Sequence, residues 1–310
     1  MAEVKKRATR EAYGETLAEL VAEGRDIVAV DADLAAATKL GAFKKACPDR
    51  FVDVGIAEQD MMGVAAGLSL TGKTVFTGSF AVFATGRCYD QIRNTVCDSG
   101  LNVKVCPTHS GVTVGEDGAT HQALEDIGMM RALPQMRVVV PADYLSTKAA
   151  LRLAAETDGP FYVRMGRLAV EDIYDEGFEC RLGGSTVLRK GSDVTIVACG
   201  TEVGCALDAA EALAAEGVSV EVIDAYSVKP LDEETILASA AKTGRVVCAE
   251  EHSTATGLGA AVASLLSERQ PTRMRMVGMR TFGTSAPGGA LLAHFGLDGA
   301  GIAAAARELL

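Results

Sequence analysis

Several features that would assign this chain to a class of proteins are missing from its sequence. No apolar run approaches the roughly 18 residues of a membrane-spanning helix, and the N-terminus lacks the apolar core of a signal peptide. Basic residues are scarce, because 30 Lys and Arg face 41 Asp and Glu and leave a net charge of −11. Sequence-independent nucleic-acid binding needs clustered Lys and Arg. We therefore expect neither a membrane nor a nucleic acid as a partner.

The eight cysteines show no pairing pattern. They are scattered without a CxxC segment or a cluster with histidine, of which the chain has only four. This spacing does not suit a structural zinc site. In a chain of this size, scattered cysteines are typical of reduced, mostly buried thiols. We expect a cytoplasmic protein with no metal site of its own.

What the sequence does contain is a regular alternation of strand and helix patterns over its 310 residues. Alternation with short loops predicts an α/β fold with mostly parallel sheets flanked by helices. An acidic, glycine-rich stretch that contains EDIYDEGFECRLGG interrupts the pattern. We predict two α/β domains, at 1–168 and 193–310, joined by a linker at 169–192.

Individual elements of the first domain follow from the same pattern. Strands are predicted at 27–31, 51–55, 73–78, 102–106, 137–141 and 161–166. Helices are predicted at 9–24, 58–70, 81–98 and 122–132.

The most informative loop is THSGVTVGEDGATHQ, which holds two of the four histidines, His109 and His121. An acidic pair, Glu116 and Asp117, and three glycines lie between them. A loop this polar is ill suited to a core. Imidazoles and carboxylates gathered on one loop suit acid–base chemistry on hydroxyl and carbonyl groups, and the alternative is a solvated surface loop.

A second candidate is Glu58, which stands at the start of the helix that follows the strand FVDVG. Taken alone, it is better explained as a helix-capping carboxylate. Ligands of open parallel sheets collect beyond the carboxyl ends of the strands. The Glu58 segment and the histidine loop both follow strands of the first domain, so we expect them at one edge of its sheet.

Together these segments resemble the transketolase family of thiamine diphosphate enzymes. The resemblance rests on GIAEQ (55–59), the histidine loop, GTEV (200–203), SVKPLDEE (227–234) and SAPGGALLAHFGLDG (285–299). It covers nearly the whole chain but only the carboxy-terminal half of a complete transketolase. It implies a pyrimidine-binding domain followed by a transketolase C-terminal domain.

The resemblance implies thiamine diphosphate as the cofactor and assigns residues to it. Glu58 corresponds to the glutamate that shares a proton with the aminopyrimidine and so helps to form the reactive ylid. Phe80 or Phe83 stacks on the aminopyrimidine, and both are included because the alignment leaves the register open. Asp33 lies near the cofactor, and Leu34 fits between its two rings.

The resemblance also implies how a sugar substrate binds. His121 and Asp117 contact its reacting end, and His109 lies further towards a phosphate; with Glu58, both histidines are the catalytic candidates. Arg10 and Arg164 are expected to bind the phosphate, because guanidinium groups suit its oxygens. The sequence departs from the family pattern at Ser110, Ala119 and Ala37. Ala37 stands where the family usually has a serine, near the sugar-phosphate end.

One family element is missing from the sequence. Members of this family bind the diphosphate through a metal at a GDG triplet followed by an asparagine, and this chain has no GDG. The resemblance therefore implies a split enzyme: an N-terminal subunit carries the GDG domain and binds Mg²⁺ or Ca²⁺, and the two chains assemble as an α2β2 heterotetramer.

The expected function is transfer of a two-carbon ketol unit from a ketose (phosphate) to an aldose (phosphate). Two alternatives stay open at this point. One is half of a deoxyxylulose-phosphate synthase-like enzyme or a 2-oxoacid dehydrogenase β-subunit, which share the AEQ segment. The other is a non-catalytic assembly subunit, which the joint presence of Glu58, His109, Asp117 and His121 disfavours.

Overall fold

Strands and helices alternate along the computed structural model, which describes residues 6–310. The strands are β1 (Lys6–Ala8), β2 (Ile27–Asp31), β3 (Phe51–Asp53), β4 (Thr74–Gly78), β5 (Val103–Val105), β6 (Arg137–Val139), β7 (Phe161–Val163), β8 (Ala169–Glu171), β9 (Thr186–Arg189), β10 (Val194–Ala198), β11 (Val220–Asp224), β12 (Ser227–Lys229), β13 (Arg245–Ser253) and β14 (Arg273–Met279). The α-helices are α1 (Ala12–Ala22), α2 (Ala35–Thr38), α3 (Gly41–Ala46), α4 (Glu58–Ser69), α5 (Ala81–Gly86), α6 (Asp126–Ala132), α7 (Tyr144–Glu156), α8 (Glu202–Ala215), α9 (Glu233–Thr243), α10 (Leu258–Arg269), α11 (Gly288–Phe295) and α12 (Gly299–Arg307).

The first sheet has seven strands in the order β12-β6-β7-β5-β4-β2-β3, and all but β12 run parallel. Helices cover both faces of its centre, so a strand such as β2 (IVAVD) is buried along its whole length. The second sheet has the order β14-β13-β10-β11-β9, with only β9 antiparallel. The predicted fold class, two mostly parallel sheets flanked by helices, is confirmed.

The two halves of the chain are joined through a shared sheet and a shared core. Strand β12, from the second half of the sequence, pairs with β6 at the edge of the first sheet. The segment predicted as a linker is also partly ordered, since β8 pairs with β1 and β9 joins the second sheet. One hydrophobic cluster contains residues from both halves, among them Val30, Met61, Val197 and Val246. The halves therefore share a core.

Two predicted helices differ from the structure. The single helix predicted at 81–98 is divided: α5 ends at Gly86, a poor helix former, and a π-helical segment follows at Gln91–Asp98. The helix predicted at 122–132 begins only at Asp126. Residues 122–124 are engaged elsewhere, since Ala123 pairs with Ser110 in an isolated bridge.

Helix α7 was not predicted. It begins with a capping box in which the Asp143 side chain accepts from the Ser146 amide while the Ser146 hydroxyl lies 2.9 Å from the Asp143 amide.

At the other end of the chain, the 20 residues Gly288–Arg307 are long and apolar enough for one membrane span, with 33% of that stretch buried. The structure divides them into α11 and α12.

The carboxyl ends of β2, β3, β4, β5 and β7 lie along one edge of the first sheet, because these strands are parallel. Most of the predicted site residues stand within eight residues after one of these strands. The exceptions are Arg10 and the residues of the histidine loop beyond His109.

Candidate active site

The contact at the centre of this edge joins Phe80 and His109. Beyond β4 and β5 the chain continues to pair, with Ala81 N donating to Thr108 O at 2.8 Å and Thr108 N to Ser79 O at 3.1 Å. This pairing brings the two rings into a stack with centroids 3.8 Å apart. Both side chains are almost completely buried. The strand ends therefore position an imidazole directly on an aromatic ring.

His109 is held by hydrogen bonds to both of its nitrogens. Its Nε2 lies 2.8 Å from Arg10 Nη1, and its Nδ1 lies 2.7 Å from Thr108 Oγ1. Burial, assisted by the charges of Arg10 and Arg167, lowers the pKa of His109 to about 3. The imidazole is therefore neutral near pH 7; its Nε2 accepts from Arg10, and its Nδ1–H donates to Thr108.

His121 comes back to the same cluster from the far end of the loop. Its ring meets Phe83 edge-on at 5.2 Å between centroids, and Phe80 at 6.2 Å. Its Nδ1 lies 2.9 Å from Thr120 Oγ1. Unlike His109, His121 is only half-buried. The structure thus brings together both predicted histidines and both predicted phenylalanines.

Glu58 is joined to this cluster through a residue that the sequence analysis missed, Arg87. Glu58 Oε1 accepts from Arg87 Nη1 at 2.9 Å, and the Arg87 guanidinium carbon lies 4.0 Å above the centre of the Phe83 ring. The Glu58 side chain is only 6% exposed. Within residues 6–310 its one hydrogen bond goes to Arg87 rather than to a helix amide, which disfavours the helix-capping interpretation. Arg87 follows the division of the predicted long helix, so a continuous helical pattern could not place it.

Asp33 and Leu34 follow β2 along the same edge. Asp33 adopts a left-handed backbone with φ of 61°, and its amide donates to Asp53 Oδ1 at 3.1 Å. Leu34 N donates to Asp31 Oδ1 at 2.6 Å. Asp31 is fully buried, its Oδ2 has no partner within residues 6–310, and burial raises its pKa to about 7. Asp31 thus fixes the turn that carries Leu34.

Asp117 lies at the open side of the loop, where the sequence analysis missed a second residue, Arg167. Arg167 Nη1 is 3.7 Å from Asp117 Oδ2 and 3.4 Å from Glu116 Oε2, and it also donates to Val114 O. Its charge acts on Arg10 as well, where burial and Arg167 lower the pKa of the Arg10 guanidinium. The sequence signal was present, because RMGR contains two arginines.

The first of those two arginines contradicts its predicted role. Arg164 is buried, and its Nε and Nη2 donate to both carboxylate oxygens of Asp126 at 2.7 and 3.1 Å. Nη2 also donates to Ala123 O at 3.2 Å and Glu251 O at 3.0 Å. A guanidinium enclosed in this way faces protein and not the open edge, so the predicted phosphate contact of Arg164 is wrong.

Arg10, in contrast, remains suited to an anion. Its Nη1 donates to Ala37 O at 3.0 Å and reaches His109, but its Nε is buried without a partner among the described residues. Arg10 and Arg167 form a basic end of the site beside His109.

The donor set at the Glu58 end fits an aminopyrimidine. A flat, electron-poor ring stacks well on Phe83 or Phe80. A buried carboxylate at its edge can share a proton with a ring nitrogen. The planar Arg87 guanidinium makes the same two kinds of contact here, stacking on Phe83 and bonding to Glu58. A metal is a different matter, because no group of three or more His, Cys, Asp or Glu within residues 6–310 could hold one.

Two family descriptions match nearly the whole chain. Residues 5–172 match "Transketolase, pyrimidine binding domain" and residues 183–302 match "Transketolase, C-terminal domain". The chain belongs to the transketolase family. Transketolases transfer two-carbon ketol units with thiamine diphosphate.

Three proteins that match nearly the full length of this chain are described as a section, a subunit or a split-gene form of transketolase. A "Putative transketolase C-terminal section" from Methanocaldococcus jannaschii is 46% identical over 96% of this chain and 94% of its own length. The "6-deoxy-6-sulfo-D-fructose transketolase subunit SqwH" from Clostridium sp. (strain MSTE9) is 44% identical over 97% of this chain and 94% of its own. A solved structure described as "Split gene transketolase, inactive beta4 tetramer" is 48% identical, covers 99% of both chains and has a TM-score of 0.91. The predicted family, including its carboxy-terminal half, is confirmed.

Proposed function

We propose that this chain is the subunit of a split transketolase that binds the pyrimidine end of thiamine diphosphate and the reacting end of the sugar. It transfers a two-carbon unit from a ketose to an aldose. The single observation that supports this most is the continuous contact from Glu58 through Arg87 and Phe83 to His121, and from His109 through Phe80 to Phe83. These residues come from three separate segments at one sheet edge, which follow β3, β4 and β5.

When bound, the cofactor supplies the carbon nucleophile that accepts and releases the two-carbon unit. Glu58 holds the proton that its aminopyrimidine end needs, at the far ring nitrogen. Phe83 and Phe80 offer the stacking faces. Leu34, on the turn fixed by Asp31, supplies an apolar wedge, and Asp33 lies beside it.

The two histidines divide the polar work. His121 is half-buried and open to solvent, so we assign it, with Asp117, to the hydroxyl and carbonyl oxygens at the reacting end of the sugar. His109 is neutral at working pH because its pKa is about 3, so it acts as a hydrogen-bonding group and not as a charged acid. Its contact with Arg10 places it between the reacting end and the basic end.

The basic end determines the substrate class. Arg10 and Arg167, two guanidinium groups beside His109, suit a terminal anionic group on the sugar. Phosphate and sulfonate share the oxygens that such groups bind, and one similar protein is described as acting on a sulfo-sugar. We propose a ketose with a terminal phosphate or sulfonate as the donor and an aldose (phosphate) as the acceptor.

The metal and the diphosphate are assigned to a partner chain. The sequence has no GDG triplet, and the described residues offer no metal-binding cluster. We propose that an N-terminal transketolase subunit with the GDG domain supplies Mg²⁺ or Ca²⁺ and that the two chains assemble as α2β2. The eight free cysteines support a cytoplasmic location, where thiols stay reduced.

The test is reconstitution. The purified chain alone should bind thiamine diphosphate weakly and transfer no ketol unit, while mixing with the GDG-containing partner should restore both. In the reconstituted enzyme, His121→Ala should lower kcat by about 100-fold, within the usual range for one acid–base group. Full turnover by the lone chain would refute the split-enzyme proposal, and full turnover by His121→Ala would refute the site. Release of CO2 from pyruvate would instead favour the synthase or dehydrogenase alternative.

A further inference from the structure

The histidine loop is held in part by the second domain. Glu251 lies on β13 and is almost completely buried. Its Oε1 accepts a hydrogen bond from the backbone amide of Thr113, in the middle of the loop. Gly111 makes this approach possible: its φ is +76°, and a Cβ there would overlap the Glu251 carboxylate. The loop is thus shaped around a side chain from the other domain.

Glu251 is fixed from behind as well. Its backbone carbonyl accepts from Arg164 Nη2 at 3.0 Å, and Arg164 is in turn paired with Asp126. Two residues further along β13, Ser253 N donates to Leu124 O at 2.8 Å, just after the loop. The strand that carries Glu251 is therefore bound to the first domain at Glu251 itself and again two residues further along.

Other contacts between the loop and the second domain are weaker supports. Ser285 Oγ donates to Glu116 O at 2.7 Å, and Gln122 Nε2 donates to Thr284 O at 2.9 Å. Both act near the His121 end of the loop. Of these contacts, only that of Glu251 uses a buried carboxylate, and it binds the backbone at Thr113, between His109 and His121 in the sequence.

We propose that Glu251 of the C-terminal domain is a positioning residue for ketol transfer, which holds the Thr113 amide and thereby fixes the loop that carries His109 and His121. The inference rests on the roles proposed for those histidines. It assigns the C-terminal domain a task in the reaction although no predicted site residue lies in that domain. A displacement of about 1 Å at a catalytic group can cost on the order of 100-fold in rate, so the holding contact matters.

The neighbouring residue provides a matched control. Glu250 is also buried on β13, but its carboxylate accepts from Leu258 N at 2.7 Å and Gly259 N at 2.8 Å, at the start of α10 in its own domain. Both glutamates accept hydrogen bonds from backbone amides. Only Glu251 accepts from an amide on the histidine loop, that of Thr113.

The experiment uses the reconstituted enzyme with the partner subunit. We compare Glu251→Leu, Glu251→Asp, Glu251→Gln and Glu250→Leu, measuring kcat, KM and amide hydrogen exchange of residues 108–122. Glu251→Leu should lower kcat by about tenfold or more and speed amide exchange of the loop by a similar factor. KM for the sugar with a terminal anionic group should change less. Glu251→Asp retracts the carboxylate by one methylene and should give a smaller loss, about threefold. Glu251→Gln keeps an acceptor oxygen and should restore most of kcat.

Glu250→Leu should lower the melting temperature without changing kcat or loop exchange. The inference is overturned if Glu251→Leu leaves loop exchange unchanged, or if Glu250→Leu lowers kcat equally. If Glu251→Leu does not fold, Glu251→Asp and Glu251→Gln decide, and equal kcat in those two variants overturns it. His121→Ala is measured in parallel: if it retains kcat, the proposed site fails, whatever Glu251 does.

Discussion

The two sheets have the same mostly parallel architecture, but the polar side chains at their carboxyl edges differ in exposure and in what they contact. The edge of the first sheet carries the buried Glu58, Phe80 and His109 beside the half-buried His121 and the exposed Asp117. The edge of the second sheet carries equally polar side chains, yet these are closed against the protein. Asp224, at the end of β11, accepts from Tyr174 at 2.7 Å, and Glu251 accepts from the loop of the first domain. The fold offers such an edge twice, and the proposed site lies on the edge that keeps exposed polar side chains.

The largest effect should come from the glutamates that begin equivalent helices. Glu58 is the first residue of α4 and Glu202 the first of α8, and both are buried. Glu58→Gln keeps the volume but cannot share a proton with the cofactor, so kcat should fall on the order of 10⁴-fold, at the upper end for acid–base catalysis. Turnover and assembly of the reconstituted enzyme are measured together.

Glu202→Gln is the control on the closed edge. Burial raises the pKa of Glu202 well above its usual range, so the folded protein already holds this side chain neutral and the amide should be tolerated. Near-normal kcat for Glu58→Gln would make Glu58 a structural residue and remove the distinction between the edges. A large loss for Glu202→Gln would do the same from the other side.

The second prediction concerns Arg164, which joins the two edges. Arg164→Met leaves the Asp126 carboxylate, which is completely buried, without its charge partner. Loss of one member of a buried ion pair costs about 3–5 kcal/mol of unfolding free energy, measurable by urea denaturation. Asp126→Asn in the same chain should recover much of that loss. If Arg164→Met changes stability by no more than Arg167→Met does, the ion pair is not what fastens the domains.

Arg167 should show the reverse behaviour. Arg167→Met removes a half-exposed guanidinium at the basic end, so stability should change little. KM for a phosphorylated acceptor should rise roughly 10- to 100-fold, because a hydrogen bond to a charged group contributes about 1.5–3 kcal/mol. An unphosphorylated acceptor gives the control. Equal effects on both acceptors would show that Arg167 does not contact the phosphate.

The smallest effect should be a change in pH dependence from the closed edge. Burial raises the pKa of Asp224 to about 8, so between about pH 4 and pH 8 the folded protein holds a proton that the unfolded chain has lost. Unfolding free energy should therefore fall as the pH rises through this window. Asp224→Asn should flatten the fall, seen as a melting temperature a few degrees higher at pH 8, roughly 1 kcal/mol, with kcat unchanged. A steeper fall in the variant would contradict the direction of the shift.

How far the sequence could predict this molecule differs between backbone and side chains. Apolar strands such as IVAVD and the loop between His109 and His121 depend on local patterns, and the strand ends then bring those segments together. The partners of Arg164 and Arg87 depend on packing between distant segments. RMGR presents two arginines, and only the depth of each in the fold decides which one binds Asp126. Glu251 lies in a strand with no catalytic motif, so its contact with the loop had no local signal.

Strand β12 bears on the order in which the molecule is made. A ribosome completes the segment that forms β6 well before it reaches residues 227–229, which pair with β6 to finish the first sheet. Until then, the outer edge of β6 has unpaired amide and carbonyl groups, which invite pairing with another chain. The shared hydrophobic cluster is incomplete over the same interval. We therefore expect the amino-terminal domain to complete its sheet and core only after the later half of the chain has been synthesised, which would leave the β6 edge prone to aggregation until then.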